Sequence, residues 1–237
     1  MVSLKNWDNK TWLSSPKYIK SFNKFLIKQS KINKNSKILD IGCGRGKILG
    51  NLKSKLKLKT KPVGIDIEKH KDRDKRINFK QLGVLKFFKK NKDKFDLILI
   101  KQTIHLFKIN EIKKILFLCK KSLNHGGKII IFSLDTHKNE IPTFSLMKKN
   151  LKRSLNTDKK IFLKIKKNYS KLIIKKFVYK VKIQKTKYIE MIRKRFISIL
   201  LNISHKKILI GVNEFNLNNK NILKFNDKLV CLIINTY

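Results

Sequence analysis

Alanine is absent from the 237 residues and acids are scarce: 15 Asp and Glu face 59 Lys and Arg, a formal charge of +44. Cysteine is nearly as rare. Cys43, Cys119 and Cys231 lie far apart with no C-x-x-C pair, which excludes a disulfide framework and a zinc site built on cysteine pairs. No apolar stretch reaches about 18 uncharged residues, the length a membrane span needs, and the N-terminus lacks the apolar core of a signal peptide. These absences predict a reduced, cytoplasmic protein with no membrane span. Internal repeats, linkers, a Ser-His-Asp pattern, a paired-carboxylate signature and a metal ligand set are likewise missing from the sequence. The length suits one α/β domain with a sizeable core and is short for two.

A charge this high ordinarily points to nucleic acid or an anionic surface. A duller cause competes here, because the chain has 53 Lys against only 6 Arg, together with 34 Ile and 22 Asn. That skew is what an A/T-rich coding sequence produces. Selection for phosphate binding should enrich Arg as well, since its planar fork pairs with phosphate bidentately. The charge is therefore a poor guide to a nucleic-acid partner.

What the chain does have is concentrated in Ile38–Leu49, ILDIGCGRGKIL. An apolar run ends in Asp40, three glycines follow at alternate positions (Gly42, Gly44, Gly46), and an amphipathic helical pattern begins at Lys47. This reads as strand, tight turn and helix start, where the backbone needs glycine's freedom and a ligand comes close to the main chain. A dinucleotide turn reads G-x-G-x-x-G, whereas here the third glycine comes one place early and Lys47 takes the sixth position. A second short strand, PVGIDIE, ends in Asp66, 20 residues after Gly46. An acid at that distance and place is where a ribose diol is gripped in doubly wound sheets.

The pattern Asp-x-Gly-x-Gly-x-Gly after an apolar strand resembles the first motif of class I S-adenosylmethionine-dependent methyltransferases. The resemblance implies a Rossmann-like α/β fold: a seven-stranded, mostly parallel sheet, helices on both faces and an antiparallel C-terminal edge strand. It implies one domain, with residues 1–30 as an N-terminal helical cap, 31–135 as the cofactor-binding half and 136–237 as the substrate half. A helical lid is expected as an insertion at about 186–215, as in the type 11 and trans-aconitate-like small-molecule branch. Asp40 would meet the cofactor's ammonium, helix-start N–H groups its carboxylate, and Asp66 its ribose. Cys43, Ile67, Gly83, Val84 and Lys101 complete the implied cofactor site. Many relatives carry an Asp near the end of the third strand, against the adenine. Here Gly83 and Val84 stand in its place.

Along the rest of the chain, Tyr18, Ile19, Phe22, Phe25 and Leu26 predict a helix over about 16–29. The periodicity predicts strands at 77–84, 95–100, 128–134, 175–184 and 223–235, and helices at 111–123, 139–167 and 188–202, with a further helical stretch to about 214. Asn124–Gly127 is read as the turn that stops the helix before the fifth strand. In the resembled family the leading segment often folds over the cofactor, so Trp7, Trp12 and Tyr18 are candidates to face the sulfonium or the substrate, with packing in the core as the other role open to them. After the fourth strand comes KQTIHLF (101–107). Base-methylating enzymes commonly carry an Asn/Asp-Pro-Pro-Tyr-like tetrapeptide there. Its absence resembles small-molecule enzymes, many with a His where His105 stands, so His105 is the candidate for substrate contact and for a base. Arg193 and Arg195 are two apart and cannot share one helical face; Arg195 is the candidate to reach the pocket.

The expected function is methyl transfer from S-adenosylmethionine to a small-molecule acceptor, with an anionic metabolite favoured by the basic lid. An rRNA or tRNA methyltransferase and a non-catalytic cofactor-binding protein are the alternatives.

Overall fold

The computed structural model describes residues 11–235; Trp7 and the start of the N-terminal cap lie outside them. Among the described residues, β1 (Ile38–Ile41), β2 (Val63–Asp66), β3 (Asn78–Gln81), β4 (Phe95–Lys101), β5 (Leu123–Leu134), β6 (Ile173–Gln184) and β7 (Ile222–Asn235) form one sheet. Its order is β3-β2-β1-β4-β5-β7-β6. The pairings from β3 to β5 are parallel, and β7 is antiparallel to both β5 and β6. The C-terminal strand is thus the antiparallel one, as expected, but it sits one place in from the edge, which β6 occupies.

The helices are α1 (Pro16–Ser30), α2 (Lys47–Leu56), α3 (Val84–Lys90), α4 (Ile109–Lys121), α5 (Ser145–Asn168), α6 (Lys185–Arg193) and α7 (His205–Asn218). The central strands are apolar without a break because both faces are covered. Leu97, Leu99, Ile130 and Phe132 join one core with Phe22 of α1, Leu52 of α2, Ile192 of α6 and Ile208 of α7. Ile98, Ile100, Ile129 and Ile131 join the other with Phe87 of α3, Ile115 of α4 and Ile161 of α5. No helix of the described residues is long and apolar enough to cross a membrane.

Local chemistry explains where the elements begin. Ser15 Oγ accepts from the Tyr18 amide at 3.2 Å and Pro16 takes the first helical position, so α1 starts where the sequence predicts. The third strand is shorter than predicted, ending at Gln81. Val84, Phe87 and Phe88 follow at helical spacing and form α3, a helix the strand reading overran. Asn124–Gly127 proves to be part of β5, with a register shift in its pairing to β4. α5 starts at Ser145 and not at 139, because Ile141 precedes Pro142 and is disfavoured as helix. α6 stops at Arg193, two residues before Arg195 takes a left-handed φ of 52°.

Candidate active site

The chain runs β1, β2, β3 in one direction across the sheet and then returns to place β4 beside β1, so the switch point lies between β1 and β4. Open α/β sheets bind ligands outside the carboxyl ends of the strands at such a point. There the molecule has a cavity of about 880 Å³, lined by the Gly42–Gly46 turn, the ends of β1, β2 and β4, and parts of α3, α5 and the segment after α6. Its size is within the range of small-molecule sites.

Gly42, with φ 77°, donates from its amide to Ile65 O at 2.8 Å, and a Cβ there would lie 2.2 Å from Thr103 Oγ1. Gly44 is different. Its φ is 52°, and a Cβ there would meet nothing within 4 Å. The left-handed turn therefore exposes main chain to open cavity at Gly44. Its amide donates to Asp66 Oδ2 at 2.8 Å, and Asp66 Oδ1 accepts from the Glu68 amide at 3.0 Å. Each carboxylate oxygen retains a second acceptor direction.

Asp40 is 3 % exposed and its Oδ1 has no hydrogen-bond partner. Burial pushes its carboxyl up to about 7, with the charge of Lys101 opposing and that of Asp66 adding. Lys101, the last residue of β4, has its ammonium 5.4 Å from the ring centroids of both Tyr18 and Phe22. Burial lowers its pKa, against the pull of Asp227 and Asp40. Asp227 of β7 is 1 % exposed and accepts from Trp12 Nε1 at 3.0 Å.

A second polar group faces the cavity from β5, α5 and the 3-10 turn at Ile104–Leu106. Ser133 Oγ donates to Asp158 Oδ2 at 2.8 Å, while Asp158 Oδ1 and His105 Nε2 are buried without partners. Burial holds the His105 imidazole below its ordinary range and raises Asp158, and the two charges oppose these shifts without a hydrogen bond between the groups.

Most of the sequence-predicted residues meet here: Trp12, Asp40, Gly42, Cys43, Gly44, Gly46, Asp66, Ile67, Gly83, Val84, Lys101 and His105 all line the cavity. Burial pushes the Cys43 thiol up, which suits a filler of the turn and not a nucleophile. Two expectations are corrected. Tyr18 is fully buried and does not line the cavity; helical spacing puts it beside Phe22 on the inward face of α1, where its ring is edge-on to Phe177 and Tyr179. Arg195 also lies off the cavity, and its guanidinium donates to Ile203 O at 3.0 Å, within the segment between α6 and α7. Phe196, Ile197, Ser198 and Ile199 face the cavity in its place.

Asp158, Ser133 and Asp227 were missed, although the patterns held a signal for two of them. Leu151, Asp158, Ile161 and Ile165 recur at helical spacing, and all four are buried. Leu223, Phe225, Asp227 and Leu229 alternate on the buried face of β7.

Solved structures share this architecture. The plantazolicin methyltransferase BpumL, in complex with a pentazolic desmethylPZN analog and SAH, is 18% identical with a TM-score of 0.53, over 98% of this chain and 89% of that one. A SAM dependent methyltransferase from Archaeoglobus fulgidus is 18% identical with a TM-score of 0.51, over 92% and 94%. The precorrin 8W decarboxylase of Methanobacterium thermoautotrophicum is 11% identical with a TM-score of 0.51, over 91% and 89%. At these identities the likeness speaks for the fold alone. No curated protein matches the sequence. A family profile described as "Methyltransferase domain" matches residues 32–194, which spans the glycine turn, both acid-tipped strands and His105. The chain therefore belongs to the methyltransferase domain family.

Proposed function

We propose that the protein transfers a methyl group from S-adenosylmethionine to a small-molecule acceptor held beneath the α6–α7 lid. The observation that carries this is the placement of Asp40 and Asp66 at the tips of the neighbouring parallel strands β1 and β2, on either side of a Gly44 turn that opens onto the cavity. The residues present fit the cofactor. The unpartnered, buried Asp40 Oδ1 suits an ammonium, the start of α2 offers N–H groups to a carboxylate, and the free acceptor directions of Asp66 suit ribose hydroxyls. Ile67, 61 % exposed, stands with Leu82 and Val84 as an apolar wall suited to a purine, and it takes over the part that an acid plays in many relatives.

When bound, S-adenosylmethionine supplies a methyl group on a positively charged sulfur and its own neutral leaving group. The chain has then to align the acceptor behind that carbon, and such alignment contributes about 7–11 kcal/mol. It must also keep water out, which the apolar lid residues Phe196, Ile197 and Ile199 do. His105, neutral because it is buried, accepts a proton where the acceptor must lose one. The plantazolicin methyltransferase, on this fold, has been seen in complex with a pentazolic desmethylPZN analog and SAH, which supports an acceptor of that small size here.

Equilibrium binding of S-adenosylhomocysteine by calorimetry tests the cofactor site: wild type should bind, and Asp66→Ala should bind at least about tenfold more weakly, 1.4 kcal/mol. Labelled-methyl transfer to a metabolite extract, with total RNA as the competing acceptor, tests the acceptor class. Label in RNA would overturn the small-molecule assignment.

A further inference from the structure

We infer that the methyl acceptor is an amine, its nitrogen held between His105 and Asp158. This rests on the methyl-transfer reading above and names the substrate class of that same cavity. Asp158 is 2 % exposed, its Oδ2 is engaged by Ser133, and its Oδ1 has no partner; His105 Nε2, whose residue lines the same cavity, has none either. Buried polar atoms are normally hydrogen-bonded, so two orphans converging on one cavity ask for a ligand group that serves both. With His105 Nε2 as the accepting nitrogen, which its part as proton acceptor requires, a hydroxyl has one hydrogen for two acceptors and a carboxylate has none. An amino group has at least two and, when protonated, carries the charge that Asp158 attracts.

The charge distribution points the same way. Among the described residues, seven acids line the cavity against four lysines and arginines, in a chain that has 15 of the one and 59 of the other. A protein of formal charge +44 has thus gathered acids around its ligands, which disfavours the anionic acceptor read from the sequence. The arginine expected to meet such an anion, Arg195, is tied to Ile203 O instead. In the reaction the acceptor's ammonium gives one proton to His105 Nε2. The freed nitrogen lone pair forms the N–C bond to the methyl carbon as the C–S bond breaks, its electron pair staying on sulfur. The proton then leaves from His105 to solvent, and Asp158 steadies the N-methylammonium product.

The test uses the full chain. Calorimetry with S-adenosylhomocysteine comes first, and absence of binding overturns the methyl-transfer reading itself. On protein saturated with it, benzylamine, benzyl alcohol and benzoate are titrated as matched probes. Benzylamine should bind at least tenfold more tightly than the other two. Asp158→Asn and His105→Gln should each erase that preference while leaving S-adenosylhomocysteine affinity within twofold, which also shows that the variants fold. In a cell extract supplied with methyl-labelled S-adenosylmethionine, the labelled product should be an N-methyl compound retained by a cation exchanger. Equal or tighter binding of benzyl alcohol or benzoate, no binding of any probe, an O-, S- or C-methyl product, or a preference that survives Asp158→Asn would overturn the assignment.

Discussion

Asp66 and Gly44 are joined by a 2.8 Å hydrogen bond, so the acid that ends β2 holds the turn that ends β1. One carboxylate therefore shapes the turn of the proposed cofactor site and is itself one of the residues proposed to hold the cofactor. Asp66→Ala should do two kinds of damage, loosening the turn and removing the ribose acceptor. Asp66→Asn keeps an oxygen for the Gly44 amide but loses charge. The expected order of S-adenosylhomocysteine affinity is wild type, then Asn, then Ala, with Ala down by at least about tenfold, as loss of charge-assisted bonds implies. Calorimetry on the three proteins checks it; an Ala variant that binds like wild type would remove Asp66 from the site.

The glycine turn separates stability from binding. At Gly42 a methyl group would collide with Thr103, so Gly42→Ala should destabilise the protein and abolish binding together. At Gly44 nothing lies within 4 Å, so Gly44→Ala bears only the left-handed backbone penalty, about 1–2 kcal/mol. The new Cβ would nevertheless stand in the space kept for the ligand. Gly44→Ala is therefore expected to melt only a few degrees below wild type yet to bind S-adenosylhomocysteine weakly or not at all. Thermal melts beside calorimetry read both effects.

How much of this was legible depended on whether a residue's role is local. The glycine turn, Asp40 and Asp66 could be read from spacing alone, because strand, turn and helix start are contiguous in sequence and the backbone imposes the pattern. The apolar wall proposed for the purine is not legible, since Gly83–Val84 reads as the end of a strand; the helical spacing of Val84, Phe87 and Phe88 is the signal for α3. Asp158 was hidden by its neighbours. Nine Lys or Arg surround it in α5, so the helix reads as a solvated surface, and only the interval from Leu151 to Ile165 betrays the buried stripe. Its approach to His105, 53 positions earlier in the chain, is a tertiary fact with no local signal. For Tyr18 the spacing leaves two roles open, facing a ligand or packing in the core, and the packing of α1 against Phe177 and Tyr179 decides for the core.

Asp40 should make cofactor binding depend on pH. Its carboxyl is pushed up to about 7, and an ammonium ligand favours its ionised form. Affinity for S-adenosylhomocysteine should rise from pH 6 to 8, with a proton released on binding at the lower pH. Stability of the free protein runs the opposite way. Between the ordinary carboxyl value of 3.8 and about 7 the folded chain binds the proton that the unfolded chain has lost, so this group's contribution falls as pH rises. Asp40→Asn should therefore stabilise the free protein relative to wild type increasingly from pH 5 to pH 8 while weakening binding. Melts at both values, and calorimetry in buffers of different ionisation enthalpy, test the pair of signs.

Trp12 Nε1 supplies a hydrogen bond to Asp227, a carboxylate that is 1 % exposed and 215 positions away. The bond pins the segment before α1 to β7, and Trp12 also lines the cavity. Removing the donor leaves a buried acceptor less satisfied, which costs about 1–3 kcal/mol. Burial raises Asp227 already, with the Trp12 bond and the Lys101 charge opposing. In Trp12→Phe that opposition weakens, so Asp227 should keep its proton to higher pH and leave Lys101 a poorer partner. Trp12→Phe is thus expected to lower stability by about 1–3 kcal/mol in urea unfolding. The double variant Trp12→Phe/Asp227→Asn should recover part of the loss, because the buried charge has gone with its donor. A double variant no more stable than Trp12→Phe would assign the effect to the lost indole packing against Tyr188, Phe196 and Phe225.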